Sequence, residues 1–425
     1  MNLVNGLVVR FAVVVMILAL FTAASSAACS SARSAPPAAS GETGVDSPTG
    51  AAMQEQGPGD PGVSDGQVLF GQSAAFTGPA GGLGNAMRLG IQAAFQEANR
   101  NGGVHGRELR LESLNDSYEA DFAFSNTRDL IEKAGVFALI GAVGTPTARA
   151  ATPQAHVAGV PYIAPFTGAS FLRDPYLDNV LNLRASYYQE TDEMVARLTE
   201  DLGITRVAVL YQDDSYGRDG LEGVLLALQR RDMQPVVSWH YPRNTMAVKA
   251  ATLRIAEANP EAVIMVGAYA PVARAIELLR RDIDSVFMTV SFVGSDALAE
   301  ELGTAGEGVY VTQVVPLPQD EDIPVVARYH AALAGYDPDA EPGFVSLEGY
   351  LAGRLAIAGL QACGRELTRK CFLDGAHNAG TIDIDGFRLR YERADDNQGS
   401  DTVFLTVIGA DGKYHQVDRL PGAKQ

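Results

Sequence analysis

The sequence is poor in the residues that build metal sites and disulfide scaffolds. Its 425 residues include 3 Cys, 6 His and 1 Trp. Three cysteines cannot frame a disulfide-rich fold, and the histidines (105, 156, 240, 330, 377 and 415) show no ligand spacing. Positive charge is also short, with 33 Lys and Arg against 51 Asp and Glu for a net charge of −18. A nucleic-acid groove or an anionic membrane surface needs clustered positive charge, so neither is expected as a partner. No P-loop, G-x-G-x-x-G, H-E-x-x-H or C-x-x-C occurs, and no base stands beside a nucleophile. Nucleotide, zinc and thiol chemistry are unsupported, so no cofactor and no enzymatic activity are expected. GVSDG at 62–66 has the spacing of a nucleophile elbow, but no strand leads into it and no helix follows.

The apolar run FAVVVMILALFTAA at 11–24 is shorter than the roughly 20 residues that span a bilayer. It follows Arg10 and passes into SSAAC, ending at Cys29, with Ser26 where a lipid-attachment motif usually carries leucine. The pattern reads as an export signal over 1–28 with lipidation at Cys29; an ordinary cleaved signal and a retained anchor are the alternatives. Residues 30–66 are mostly Ala, Gly, Pro and Ser. They cannot bury enough surface to offset their ordering entropy, so 29–66 is expected to be a flexible, lipid-anchored linker. The membrane is thus expected as a partner only through a lipid. Cys363 and Cys371 remain as an even pair eight apart in a helix–turn–helix segment of an exported chain, where a disulfide is expected.

From residue 67 onward, apolar runs alternate with helical patterns. Strands are expected at 67–76, 107–114, 136–143, 160–166, 206–212, 262–268, 285–292 and 308–315, with helices such as 87–99, 121–134, 191–202 and 272–281. This alternation predicts an α/β fold of doubly wound parallel sheets, and its length calls for two lobes. An internal echo marks both halves: GAVGTPTARA (141–150) and GAYAPVARA (267–275) each run from strand into a helix opened by proline. Pro146 and Pro271 suit a first helical position, and Thr145 suits an N-cap. A helix start at the carboxyl end of a parallel strand offers free N–H groups to an anion. Hydroxyls of Thr145, Thr147 and Thr167, with the rings of Tyr216 and Tyr269, are the candidate ligand contacts. Arg149 and Arg274 are expected on solvated helix faces. TIDIDGFRLRYE (381–392) approaches calcium-loop spacing, but its period-two alternation predicts a hairpin.

The stretch AAFTGPAGGLGNAMRLGIQAAFQEANRNGGVHGRELRLESLNDSYEAD (74–121) resembles the first lobe of the leucine/isoleucine/valine-type periplasmic solute-binding proteins. IGAVGTPTARA, PYIAPFTGASFLRDP, YQDDSYGRDGLEG and GSDTVFLTVIGADGKY continue the resemblance across about 67–417. It implies two lobes joined by three hinge crossovers, the type I periplasmic binding fold, with boundaries at 67–184 plus 313–399 and 185–312 plus 400–420. It also implies that Thr145 holds a ligand carboxylate, that Thr167, Gly168 and Ala169 supply a hydroxyl and a carbonyl, and that Tyr216 and Tyr269 pack on the ligand. Ser291 or Phe292 falls where the branched-chain binders place a glutamate for the ligand ammonium. Asp213, Asp214 and Asp296 are possible substitutes. Ser117 and Gly144 stand where the family has a cysteine pair. The expected function is capture of a small carboxylate-bearing solute, an amino acid or related compound, by a monomer that delivers it to the permease of an ABC importer. The alternative is the ligand-sensing subunit of a signalling system.

Overall fold

The computed structural model describes residues 60–391 and 396–421. The expected signal, Cys29 and the linker as far as residue 59 lie outside the described residues. Among those described, no helix is long and apolar enough to cross a membrane.

Mostly buried strands, with one alternating strand at the edge, make the first sheet. Strands β1 (Gln67–Ala74), β2 (Glu108–Asn115), β3 (Ala138–Ile140), β4 (Tyr162–Ile163) and β5 (Val180–Leu181) run parallel in the order 2-1-3-4-5. The second sheet repeats that plan. Strands β6 (Val207–Asp213), β7 (Val237–Pro242), β8 (Ala262–Val266), β9 (Val286–Thr289) and β10 (Val309–Gln313) are parallel in the order 7-6-8-9-10. β3 and β8 are therefore equivalent, and the echoed segments leave equivalent strand ends. Strands β11 (Gly380–Ile384) and β12 (Phe387–Tyr391) form an antiparallel hairpin. Its Phe387, Leu389 and Tyr391 are buried between exposed Arg388 and Arg390, which realises the alternation seen in the sequence. Strands β13 (Phe404–Ile408) and β14 (Tyr414–Val417) pair antiparallel beyond β10, so the second sheet is mixed rather than wholly parallel. The chain crosses between the sheets after β5, β10 and β12, which gives the expected architecture of two lobes joined by three crossovers.

Helices α1 (Gly81–Arg100), α2 (Ala120–Asp129) and α3 (Thr145–Val157) belong to lobe 1. Helices α4 (Tyr187–Ala196), α5 (Ser215–Gln229), α6 (Lys249–Ala258), α7 (Tyr269–Leu279) and α8 (Ser295–Leu302) belong to lobe 2. Then α9 (Pro324–Tyr336), α10 (Phe344–Cys363) and α11 (Arg369–Asn378) return to lobe 1. Helix α10 is buried on nearly every side and crosses α1 at backbone contact. A Cβ on Gly90 would stand 1.9 Å from the Ser346 carbonyl oxygen, and one on Gly349 would stand 2.3 Å from that of Met87.

Two sequence expectations need correction here. Residues 60–66 are seated on lobe 1 rather than extending the linker. The Asp60 carboxylate accepts the Arg369 N–H at the start of α11 (2.5 Å), and the Gly62 carbonyl accepts the Leu69 N–H (2.8 Å). Thr145 is not the N-cap of α3. Gly144 holds that place at φ +104°, and Thr145 is the first helical residue. The left-handed backbone suits glycine.

Cys363 and Cys371 are joined by a disulfide that ties the end of α10 to α11, with Cα atoms 5.8 Å apart. The closed loop is short, so its entropic contribution is about 2.5 kcal/mol. Replacing both cysteines by serine should lower the unfolding free energy by about 2–3 kcal/mol in urea titrations. No change would mean that the bond stabilises nothing in lobe 1.

Candidate ligand-binding cleft

The carboxyl ends of the parallel strands of both sheets face one another, where ligands of such sheets sit. In lobe 1 the chain leaves β3 through Gly141 (φ +62°) and Gly144, then enters α3, which has no side-chain cap. The Thr145 hydroxyl is fully buried and lies 2.7 Å from the Thr167 hydroxyl. Thr167 Oγ1 also accepts the Ala169 N–H (3.2 Å) and lies 3.1 Å from the Tyr187 hydroxyl. The sequence-predicted Thr145 and Thr167 therefore meet in one chain of hydroxyls, joined by the Ala169 N–H and by Tyr187 from the first crossover.

Lobe 2 supplies rings. At the end of β6, Asp214 caps α5 by accepting the N–H groups of Tyr216 (2.9 Å) and Gly217 (3.0 Å). That turn buries the Tyr216 ring, whose hydroxyl donates to the Gly267 carbonyl (3.3 Å). Phe292, just beyond β9, is the centre of the cluster. Its ring centroid lies 4.5 Å from Tyr216, 5.4 Å from Phe166, 6.3 Å from Tyr118 and 6.4 Å from Tyr187. Tyr118 and Phe166 come from lobe 1, so the cluster spans the cleft. Tyr118 reaches it through a left-handed backbone (φ +64°), held by the Asp116 carboxylate, which accepts the Tyr118 N–H (2.9 Å). A Cβ on Gly144 would lie 2.2 Å from Tyr118 Cε2. The ring thus fills the space beside Gly144.

The rim is closed by polar contacts. Arg243 of lobe 2 pairs with Glu119 of lobe 1 (2.6 Å) and donates to the Tyr118 carbonyl, while the Asn244 amide donates to Glu119 (2.6 Å). Asp219 of α5 accepts both the N–H (3.0 Å) and the hydroxyl (2.5 Å) of Ser170. Asp296 of α8 accepts the Phe344 N–H at the start of α10 (2.9 Å).

Other predicted contacts have local partners. The Thr147 hydroxyl donates to the carbonyls of Val143 and Gly144 (the latter at 2.9 Å). The Gly168 carbonyl accepts the Tyr187 N–H (2.8 Å), and a Cβ there would lie 2.7 Å from Tyr187. Ser291 gives its N–H (2.8 Å) and hydroxyl (3.0 Å) to Glu190, which also accepts the Thr312 hydroxyl (2.7 Å). Tyr269 sits at the cleft edge, with its hydroxyl 3.4 Å from where a Cβ on Gly82 of α1 would stand. Sequence reasoning missed Tyr118, Tyr187, Arg184 and Glu190. The tyrosines follow turn and hinge segments with no periodic signal, and the two charged residues resemble ordinary surface residues in one dimension. A hollow of about 380 Å³ lies at the hinge beside Arg173, Gln189 and Gln398, apart from the ring cluster.

Burial sets the electrostatics. It pushes the phenols of Tyr118, Tyr187 and Tyr216 well above their ordinary range, so all three stay protonated. Burial also raises the carboxyl of Glu190, against the opposing pull of Arg184 and the Ser291 and Thr312 hydrogen bonds. Asp116 is pushed up to about 6 by burial, partly offset by hydrogen bonds from Ser73 (2.8 Å) and Tyr118. Its ordinary value is 3.8, so the folded state holds this proton more tightly than the unfolded chain. The associated stability is fully present below pH 3.8 and is lost as pH rises through about 6. Asp116→Asn should therefore gain on the wild type between pH 4 and 7.5, by up to about 3 kcal/mol in urea unfolding. A pH-independent difference would contradict this.

The model of the periplasmic binding protein family matches residues 67–413. Leu/Ile/Val-binding protein homolog 7 of Brucella abortus is 27% identical over 206 residues, which cover 46% of this chain and 51% of the relative; the chain thus spans about half the length of that relative. The crystal structure of a possible leucine/isoleucine/valine-binding protein from Rhodopirellula baltica is 38% identical, with a TM-score of 0.79, and covers 83% of this chain and 96% of that one. An ABC transporter solute-binding protein from R. palustris, solved with benzoate, shares the fold at a TM-score of 0.74 and 18% identity, over 83% and 96% of the two chains. With the family pattern running through both lobes and every crossover between them, the chain belongs to the periplasmic binding proteins and has their type I fold.

Proposed function

We propose that this protein captures a small carboxylate-bearing solute between its lobes and delivers it to the permease of an ABC importer. The observation that carries this reading is the hydroxyl chain of Thr145, Thr167 and Tyr187 at the uncapped start of α3, beneath rings contributed by both lobes. A helix start contributes about 0.3–1 kcal/mol toward an exposed anion, whereas micromolar affinity needs about 8 kcal/mol. Direct hydroxyl contacts and enclosure by Tyr216, Phe292 and, at the edge, Tyr269 would supply the difference. Thr147, Gly168, Ala169 and Ser291 then act as supports whose local bonds hold the contacting groups in place.

In this reading 67–184 with 313–399 and 185–312 with 400–420 move as two bodies about the three crossovers. On the same reading one chain supplies both walls of the cleft and the receptor acts as a monomer. Export through 1–28 and lipid attachment at Cys29 would hold the receptor at the membrane beside its permease, with the residues up to 59 as the tether. The family consists of solute-binding proteins, not enzymes.

Thermal-shift screening of the full-length chain with aliphatic amino acids, aromatic acids and their amides tests the reading, because a ligand of the closed form raises stability by mass action. At least one compound should raise the melting temperature, and failure of the whole panel would remove the main support. With that compound, Thr145→Ala should weaken binding by about 1–3 kcal/mol in calorimetry. Unchanged affinity would take Thr145 out of the site.

A further inference from the structure

The acids and bases around the cleft are unequally engaged. Asp214 uses one oxygen on Tyr216 and Gly217 and gives the other to the Gln212 amide (2.7 Å). Glu190 is held by Ser291 and Thr312, Asp219 by Ser170, and Glu119 by Arg243 and Asn244, with both oxygens engaged in each. Asp213 pairs with Arg218 (2.6 Å) and faces His240 (3.5 Å). Asp296 holds the Phe344 N–H, and its electrostatic neighbours are Tyr329 and Tyr414, outside the ring cluster. An ammonium group entering the cleft would have to share carboxylates that already accept the protein's own donors.

One cation differs. Arg184 is 1% exposed, and its guanidinium lies 4.3 Å from the centroid of Phe166, a member of the ring cluster. Nε and Nη2 each approach the Glu348 carboxylate at 2.9 Å. Nη1 is buried and makes no hydrogen bond. A buried donor without an acceptor is costly, and each such group in a folded protein calls for an explanation. The Tyr187 hydroxyl faces it and links through Thr167 to Thr145 at the start of α3, while the Glu190 carboxylate is a second acid in its field beside Glu348. The cleft therefore offers donors, one of them cationic, together with ring faces, and no disengaged acid.

We propose that the cleft selects an aromatic carboxylate without an ammonium group, with Arg184 Nη1 donating to the carboxylate and Phe166, Tyr216 and Phe292 packing on the ligand ring. This rests on the solute-binding reading above and narrows it, setting the protein apart from binders of α-amino acids. Ring-on-ring contact favours an aromatic over an aliphatic skeleton, and a charge-assisted bond to a buried guanidinium favours an acid over its amide.

Calorimetric titration of the full-length chain with benzoate, phenylacetate and 3-phenylpropanoate, their amides, L-phenylalanine and L-leucine tests the proposal. At least one acid should bind about ten-fold or more tighter than its amide and than either amino acid, and Arg184→Gln should abolish the preference for acid over amide. If that variant does not fold because Glu348 is left unpaired, the comparison of acid with amide on the unaltered protein still decides. Equal binding of acid and amide would overturn the role of Arg184. Tighter binding of L-phenylalanine or L-leucine would overturn the proposal while leaving solute binding intact. Failure of all three acids would overturn it too, and the broader reading falls with it only if the wider thermal-shift panel is also silent.

Discussion

Phe292 sits where the two lobes meet, and its ring touches Tyr216 from its own lobe, Phe166 and Tyr118 from the other, and Tyr187 from the hinge. Ring pairs of this kind contribute roughly 0.5–1.5 kcal/mol each beyond their buried area. The rim contacts, such as Arg243 with Glu119, are partly exposed, and such pairs are worth about 0–1 kcal/mol. The contact between the lobes therefore rests on a modest apolar seam, with polar contacts setting its register. A modest seam suits a receptor. A bound solute can shift an equilibrium between open and closed forms only by its differential affinity, and a deep closed minimum would leave it nothing to shift.

Beneath the seam lies a hinge that is anything but soft. Arg184, in the first crossover, pairs with Glu348 of α10, while Glu190 of α4 gathers Ser291 and Thr312 of lobe 2. Arg173 donates to the carbonyls of Ala169 and Arg184 (both 2.8 Å) and to the Gln398 side chain (3.1 Å), tying the first crossover to the third. Gln189 completes a capping box with Ser186 and reaches Asp401 (2.6 Å). Removing one partner of a buried ion pair costs about 3–5 kcal/mol, because the other charge is stranded. These contacts tie the first crossover to the third and to both lobes.

The parts of this molecule that could be read in one dimension are those with a period or a run. β1, β6 and β8 each contain an unbroken apolar stretch, and the repeated proline-opened helices proved to leave equivalent strands. β7 was hidden because an edge strand carrying exposed Trp239 and His240 has no buried run. α10 was hidden for the opposite reason, being buried on nearly every face and so without a clear amphipathic stripe. At the cleft, the position of Thr145 was legible from the Pro146 beside it, but its bond to Thr167 was not. Tyr118 depends on a left-handed turn, and Arg184 and Glu190 on burial, neither of which leaves a mark in local sequence. Contacts that join distant segments are specified by the fold as a whole.

The central claim is that the two lobes are separable bodies that shut over a solute. Small-angle X-ray scattering of the full-length chain, first alone and then with a saturating panel of small carboxylates, tests it most directly. The prediction is a more extended particle in the absence of solute, contracting toward the closed structure when a member of the panel binds. A scattering curve already matching the closed form without solute, and unmoved by any compound that calorimetry shows to bind, would contradict it.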